Sequence, residues 1–180
     1  RFGIGNDYPS DFIKMDSVIN LLSNSELDAK GFLFKEADHN VTPGLTIGIS
    51  LYEIFENWSN IQAKYFSNDQ KDLKMIDSFK EEITTNYGSS LEFSLGILNG
   101  KGWYFYNEKE YEKAIQAWRL LMKSYPNFSE GYLYIIDAQV QLNQDISDSI
   151  EEFNESLAQS DIYSENEKKE LIKELENLKK

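Results

Sequence analysis

The chain has no cysteine and a single histidine, His39. The first absence removes disulfides, thiolate nucleophiles and thiolate metal ligands together. It leaves the compartment open, because a cysteine-free chain suits the cytoplasm and the periplasm or exterior equally. One imidazole without a thiolate argues against a zinc centre. Positive charge is scarce: 18 Lys and Arg stand against 31 Asp and Glu, for a formal net charge of -13. Such a surface repels phosphate backbones and anionic lipid, so neither nucleic acid nor a membrane is expected as a partner. No run of about 18 apolar residues is present to span a bilayer. Gly3-Ile4-Gly5 lacks the third glycine of a dinucleotide fingerprint, and no cofactor is expected.

What is present supports a packed core. Hydrophobic residues make up 41% and aromatics 14% of 180 residues, enough for one domain of ordinary size or somewhat more. The chain opens on Arg1-Phe2-Gly3-Ile4-Gly5 with no Met and no leader. This is the expectation for a piece of a longer protein whose targeting signals lie elsewhere, so localisation stays open.

The chain reads as three zones. Residues 1–66 begin as strand, helix, strand: Arg1 to Gly5, a helix from Ser10 to Leu22, and a short apolar run from Gly31 to Phe34. That order implies a right-handed parallel crossover, and two parallel strands alone make an incomplete sheet. A long helix over 41–66 comes next, with Thr42 as N-cap and Pro43 at the first helical position. Ile47, Leu51, Ile54, Phe55 and Trp58 form its apolar stripe. Residues 67–90 hold a polar linker and a helix from Leu73 to Tyr87, ended by Gly88.

From 91 to 180 the pattern becomes a repeat. Leu98, Gly102, Phe105, Tyr111, Ala114, Trp118, Leu121 and Pro126 hold the spacing of a 34-residue helix-turn-helix unit. Gly102 and Ala114 are small where two helices approach closely, and Pro126 stops the second helix. A second unit runs through Tyr132, Ile135, Ala138 and Leu142, then Ile146, Ile150, Phe153 and Leu157. There Ile136 replaces the close-contact glycine and the second helix is offset by one residue, which predicts looser packing. Glu165 to Lys180 reads as the polar cap of the array.

The repeat resembles the tetratricopeptide family over about residues 95–157. The run Glu36-Ala37-Asp38-His39-Asn40-Val41-Thr42-Pro43, followed by Leu51 to Trp58 and then by Leu98-Asn99-Gly100-Lys101-Gly102-Trp103-Tyr104, resembles the end of an esterase. The family meant is that of α/β-hydrolase proteins related to esterase D and the siderophore esterases, some of which carry a C-terminal tetratricopeptide extension. The resemblance implies that His39 is the general base, a role its near-neutral pKa suits. It implies an acid partner after the preceding strand, Asp7 first and Asp11 behind it. The nucleophile of that family sits on a Gly-x-Ser-x-Gly elbow before the acid and the histidine. No such pentapeptide occurs here.

The expected fold is therefore mainly α: tetratricopeptide-like hairpins preceded by a partial α/β remnant of a hydrolase sheet. The expected function is the C-terminal part of a serine esterase, inactive alone for want of the nucleophile. The alternative is a non-catalytic interaction or scaffold module, with a peptide or protein on the repeat face. Unpaired strand edges in the remnant would favour self-association.

Overall fold

The computed structural model describes residues 8–21, 30–32, 34, 37 and 40–179. Among these it holds eight helices: α1 (Tyr8–Leu21), α2 (Thr42–Phe66), α3 (Met75–Tyr87), α4 (Leu95–Asn107), α5 (Tyr111–Ser124), α6 (Glu130–Gln141), α7 (Ser147–Gln159) and α8 (Glu165–Leu178). No strand occurs among the described residues. This corrects the expected strand-helix-strand-helix remnant of an α/β-hydrolase sheet. Arg1 to Gly5 lies outside the described residues. Gly31, Phe32 and Phe34 are irregular, and the Phe34 carbonyl accepts from the Ala37 N–H. The physical reason is that a parallel strand exists only through hydrogen bonds to neighbours. A four-residue apolar run carries no such information by itself. With no strand described, edge-to-edge self-association has no described edge on which to act.

The chain divides into two units, Arg1–Glu56 and Asn57–Lys180. The boundary falls inside α2. In the first unit the helical spacing is present but its apolar side chains face solvent: Ile13, Met15, Val18 and Leu21 on α1, and Ile47, Leu51 and Ile54 on α2. Lys30 pairs there with Glu53. Past Asn57 the same helix buries Ile61, Gln62 and Tyr65.

The second unit is built from these last turns of α2 and helices α3 to α8. The Trp58 N–H donates to the Tyr87 hydroxyl at 2.9 Å, and the Ser94 N–H donates to Gln62 Oε1 at 2.7 Å. Gly88 closes α3 in the left-handed region, φ 64°, and returns its N–H to the Thr84 carbonyl. A glycine adopts that conformation at little cost.

One contact organises the first hairpin, α4 with α5. A Cβ on Gly102 would come within 2.2 Å of Trp118 Nε1, so the indole of α5 occupies the space a side chain on α4 would need. Trp118 is fully buried, and its indole N–H donates to Asn99 Oδ1 at 3.0 Å. Leu98, Phe105, Ala114 and Leu121 are fully buried around it, while Tyr111 is half-buried against the same core. Pro126 lies in the loop after α5, and its carbonyl accepts from the Ser156 hydroxyl at 2.8 Å.

The turns repeat as well. The Lys109 N–H bonds back to Tyr106 and that of Glu110 to Phe105, with Lys109 left-handed at φ 60°. The Asn143 N–H bonds to Val140 and that of Gln144 to Gln139, with Asn143 at φ 54°. Both are Schellman closures, and each residue of the second lies 34 positions beyond its counterpart in the first.

The second hairpin is looser, because α6 and α7 pack less closely than α4 and α5. Ile136, at the place of Gly102, is itself a fully buried side chain, so no notch is left for a ring. The offset is also visible. Ser149 and Phe153 are fully buried, each one residue beyond strict repetition of Ala114 and Trp118. The turn before α7, residues 142–146, is also longer than the one before α5, residues 108–110. A second cluster of Leu133, Ile136, Phe153, Leu157, Leu171 and Leu175 joins α6, α7 and α8. Helix α8 begins with a capping box in which the Ser164 hydroxyl accepts from the Glu167 N–H and the Glu167 carboxylate accepts from the Ser164 N–H, a standard N-terminal closure.

Two glycines on one helix separate propensity from packing. Nothing lies within 4 Å of a Cβ added at Gly96, so Gly96→Ala is expected to stabilise by about 0.5–1 kcal/mol through helix propensity. Gly102→Ala gains the same term but must displace an indole, and overpacking of about 1–3 kcal/mol outweighs it. Urea unfolding of both variants checks this. Equal stabilisation would show that the Gly102 notch is not tight.

Candidate functional site

His39 and Asp7 lie outside the described residues, and Asp11 falls within α1. In the first unit Lys30, Phe32, Ser50, Glu53 and Ile54 line a small pocket, and the larger side-chain clusters belong to the unit Asn57–Lys180. Among the described residues no group of three His, Cys, Asp or Glu side chains is placed to hold a metal ion.

The first such place surrounds Lys101. Its side chain is buried, with 1% of the residue exposed. The ammonium donates to the Ser67 carbonyl at 2.9 Å and to the Gln70 carbonyl. It also lies 5.7, 5.3 and 5.5 Å from the ring centres of Tyr65, Tyr104 and Phe105. The two carbonyls follow the C-terminus of α2, where a cation suits the orphaned acceptors and the helix dipole, and the rings offer their negative faces. No carboxylate completes the set. Burial and then the nearby Lys71 ammonium hold Lys101 below the usual lysine range. Outside this nest, the Glu110 carboxylate bridges Lys113 and Lys71, and its pKa is lowered first by the Lys113 hydrogen bond. The arrangement ties the 67–74 linker to α4. Nothing in it offers an open approach to a substrate.

The second place is the aromatic stack. Trp103 lies 5.0 Å from Tyr134 and 5.3 Å from Tyr106, centre to centre, and Trp103 meets Trp118 edge-on at 5.2 Å. The Tyr106 hydroxyl donates to Asp137 Oδ2 at 2.8 Å, joining α4 to α6. Burial and then the Asp137 carboxylate push the Tyr106 phenol up to about 12. Of the aromatic run 103–106, Phe105 is fully buried and the other three rings are half-buried against the core.

The third is a groove of about 310 Å³ between the start of α3 and the middle of α5. Leu73, Ile76, Ile115 and Leu120 supply its apolar side, with Lys74 and Arg119 beside them. Arg119 is held across α7 by Glu152 and by the Ser149 hydroxyl, the latter at 3.1 Å. Neither a role for Lys101 nor this groove was expected from the sequence. Lys101 was detectable in principle, since Leu98, Lys101, Gly102 and Phe105 occupy one helical stripe and a lysine there needs a buried acceptor. The groove joins residues about 40 positions apart, and no local pattern marks it.

No known protein family, no curated protein and no solved structure matches this chain.

The lowered Lys101 pKa fixes the sign of a pH effect. The folded state binds this proton less tightly than the unfolded chain does, so the cost is present in full below the folded value. It fades as pH rises toward 10.5, the ordinary lysine value, because the unfolded state then loses its extra proton. Relative to Lys101→Met, in which this titration is absent, the native chain should therefore gain stability as pH rises toward 10.5. Denaturant unfolding of both proteins across that range reads the difference. A difference that stays flat, or that moves toward the variant, contradicts the assignment.

Proposed function

We propose that this chain supplies the C-terminal part of a carboxylic ester hydrolase, with His39 as its general base and residues 57–180 as a non-catalytic tetratricopeptide-like module. The ester-hydrolase half rests on the order of sequence pieces: Glu36 to Pro43 around His39, then Leu51 to Trp58, then the repeat beginning near Leu98. The chemistry needs a serine hydroxyl from a Gly-x-Ser-x-Gly elbow, whose proton His39 accepts and returns to the leaving alcohol. No such elbow lies in these 180 residues, so the chain alone has a base with no nucleophile to serve.

One observation supports the module half: two Schellman turns centred on Lys109 and Asn143 that repeat at a 34-residue interval, as a helix-turn-helix array requires. Stacked hairpins of this kind offer broad side-chain surfaces for a protein or peptide, or brace a neighbouring domain. The groove beside α3 and α5 favours docking over bracing alone, since apolar side chains remain half-exposed along it.

The test has two arms. The purified chain should show no turnover of p-nitrophenyl acetate above background. The complete reading frame that contains it should encode a Gly-x-Ser-x-Gly elbow before His39, and its product should hydrolyse the ester and lose on the order of 10⁴-fold or more in kcat as His39→Ala. Histidine-dependent turnover by the chain alone, or a reading frame without the elbow, contradicts the proposal.

A further inference from the structure

The groove between α3 and α5 is lined by more cations than acids, although the chain as a whole is acidic. Across the chain acids outnumber bases 31 to 18. Of the three charged residues lining the groove, two are cations, Lys74 and Arg119, and one is an acid, Asp77. Their settings differ. The Lys74 side chain stands at the exposed start of α3. Arg119 is held by α7, where the Glu152 carboxylate takes one guanidinium nitrogen and offsets its charge, and the Ser149 hydroxyl takes the other. A guanidinium carries five N–H donors, so these two bonds orient it without exhausting it, and an oriented fork suits a carboxylate.

The groove is small, of a size that a few side chains can fill. Dedicated ligand cavities run from about 300 to 1,000 Å³, and this one, at about 310 Å³, is at the bottom of that range. Leu73 and Ile76 are already buried, while Ile115 and Leu120 keep part of their surface in water. Covering that remainder would remove apolar area from water, the term that drives most association.

We propose that this groove docks a peptide segment of a protein partner that lays two neighbouring aliphatic side chains against Ile115 and Leu120 and presents a carboxylate to Lys74 and Arg119. The inference deepens the docking role proposed for residues 57–180 and rests on it, not on the ester-hydrolase reading. The global charge of -13 repels acidic chains in general. A carboxylate is therefore tolerated only where local cations meet it, so the groove selects one acidic group placed beside apolar residues over a polyanion.

The experiment is a selection of random dodecapeptides displayed against the full chain, followed by fluorescence anisotropy with the enriched peptides. The enriched set is expected to share an aliphatic pair with an Asp or Glu within about one helical turn. Affinity is expected to fall at least tenfold for Ile115→Lys and for Lys74→Glu, and a peptide whose acid is changed to Lys should recover binding to Lys74→Glu. Lys74 is exposed, so this charge swap stays informative even if Ile115→Lys fails to fold. Absence of any enriched peptide overturns both the inference and the docking role. Enriched peptides that lack the acid, or that bind both variants as tightly as the native chain, overturn the groove alone and leave docking to another face.

Discussion

Residues 57–180 depend on how closely two helices can approach. Helices normally pack about 8–10 Å apart, set by the side chains between them. At Gly102 there is no side chain, and the Trp118 indole sits where any Cβ would have to be. The consequence spreads along both helices. Leu98 and Phe105 flank the glycine on α4, Ala114 and Leu121 flank the tryptophan on α5, and all are fully buried. The indole N–H, which would be costly to bury alone, finds Asn99 on the same helix as the glycine, so the notch also satisfies the polar atom it buries. The Schellman turn at Lys109 then joins the two helices within three residues.

The second hairpin shows what happens without the notch. Ile136 fills the glycine position, α7 slips by one residue, and Ser149 and Phe153 become the inward side chains. Hydroxyls replace some of the lost apolar contact. Ser129 and Ser156 bond to each other at 2.8 Å in a buried position, and Ser160 donates to the Asn127 carbonyl at 3.0 Å. These bonds stitch the end of α7 onto the loop between α5 and α6. A net hydrogen bond is worth about 1 kcal/mol, against about 3–5 kcal/mol lost when a buried Trp is truncated. The first hairpin is accordingly the anchor and the second is carried on it.

Helices were legible in the sequence because their signal is local. Apolar positions three and four apart, Gly88 after the last turn of α3 and Pro126 after α5 each act within a few residues. The one-residue offset of α7 was legible for the same reason, since Ile150, Phe153 and Leu157 keep their own period. The capping box at Ser164 and Glu167 has an equally local Ser-x-x-Glu signature, although the segment was expected only as the polar cap of the array. The strand expected from Gly31 to Phe34 failed on a different ground: strand formation depends on partners elsewhere, and four apolar residues cannot name them. Burial was the other blind spot. The stripe of Ile47, Leu51 and Ile54 predicts a helix correctly, yet it stays exposed, because periodicity tells which residues share a face and not what covers it. Lys101 is the converse case, a charged residue inside a buried stripe because carbonyls and rings happen to converge there.

The catalytic half of the functional reading stands on His39 and its sequence neighbours, and the structural half stands on the hairpins. They are separable, since the two cores of residues 57–180 are built from side chains of that unit. The hierarchy of those cores is the physical claim beneath the rest, and native-state hydrogen exchange reads it directly. The account predicts that amides of α4 and α5 open with the highest free energy, and that those of α7 and α8 exchange through a lower-energy opening of the second cluster. Equal protection across both hairpins, or α7 outlasting α5, would contradict it.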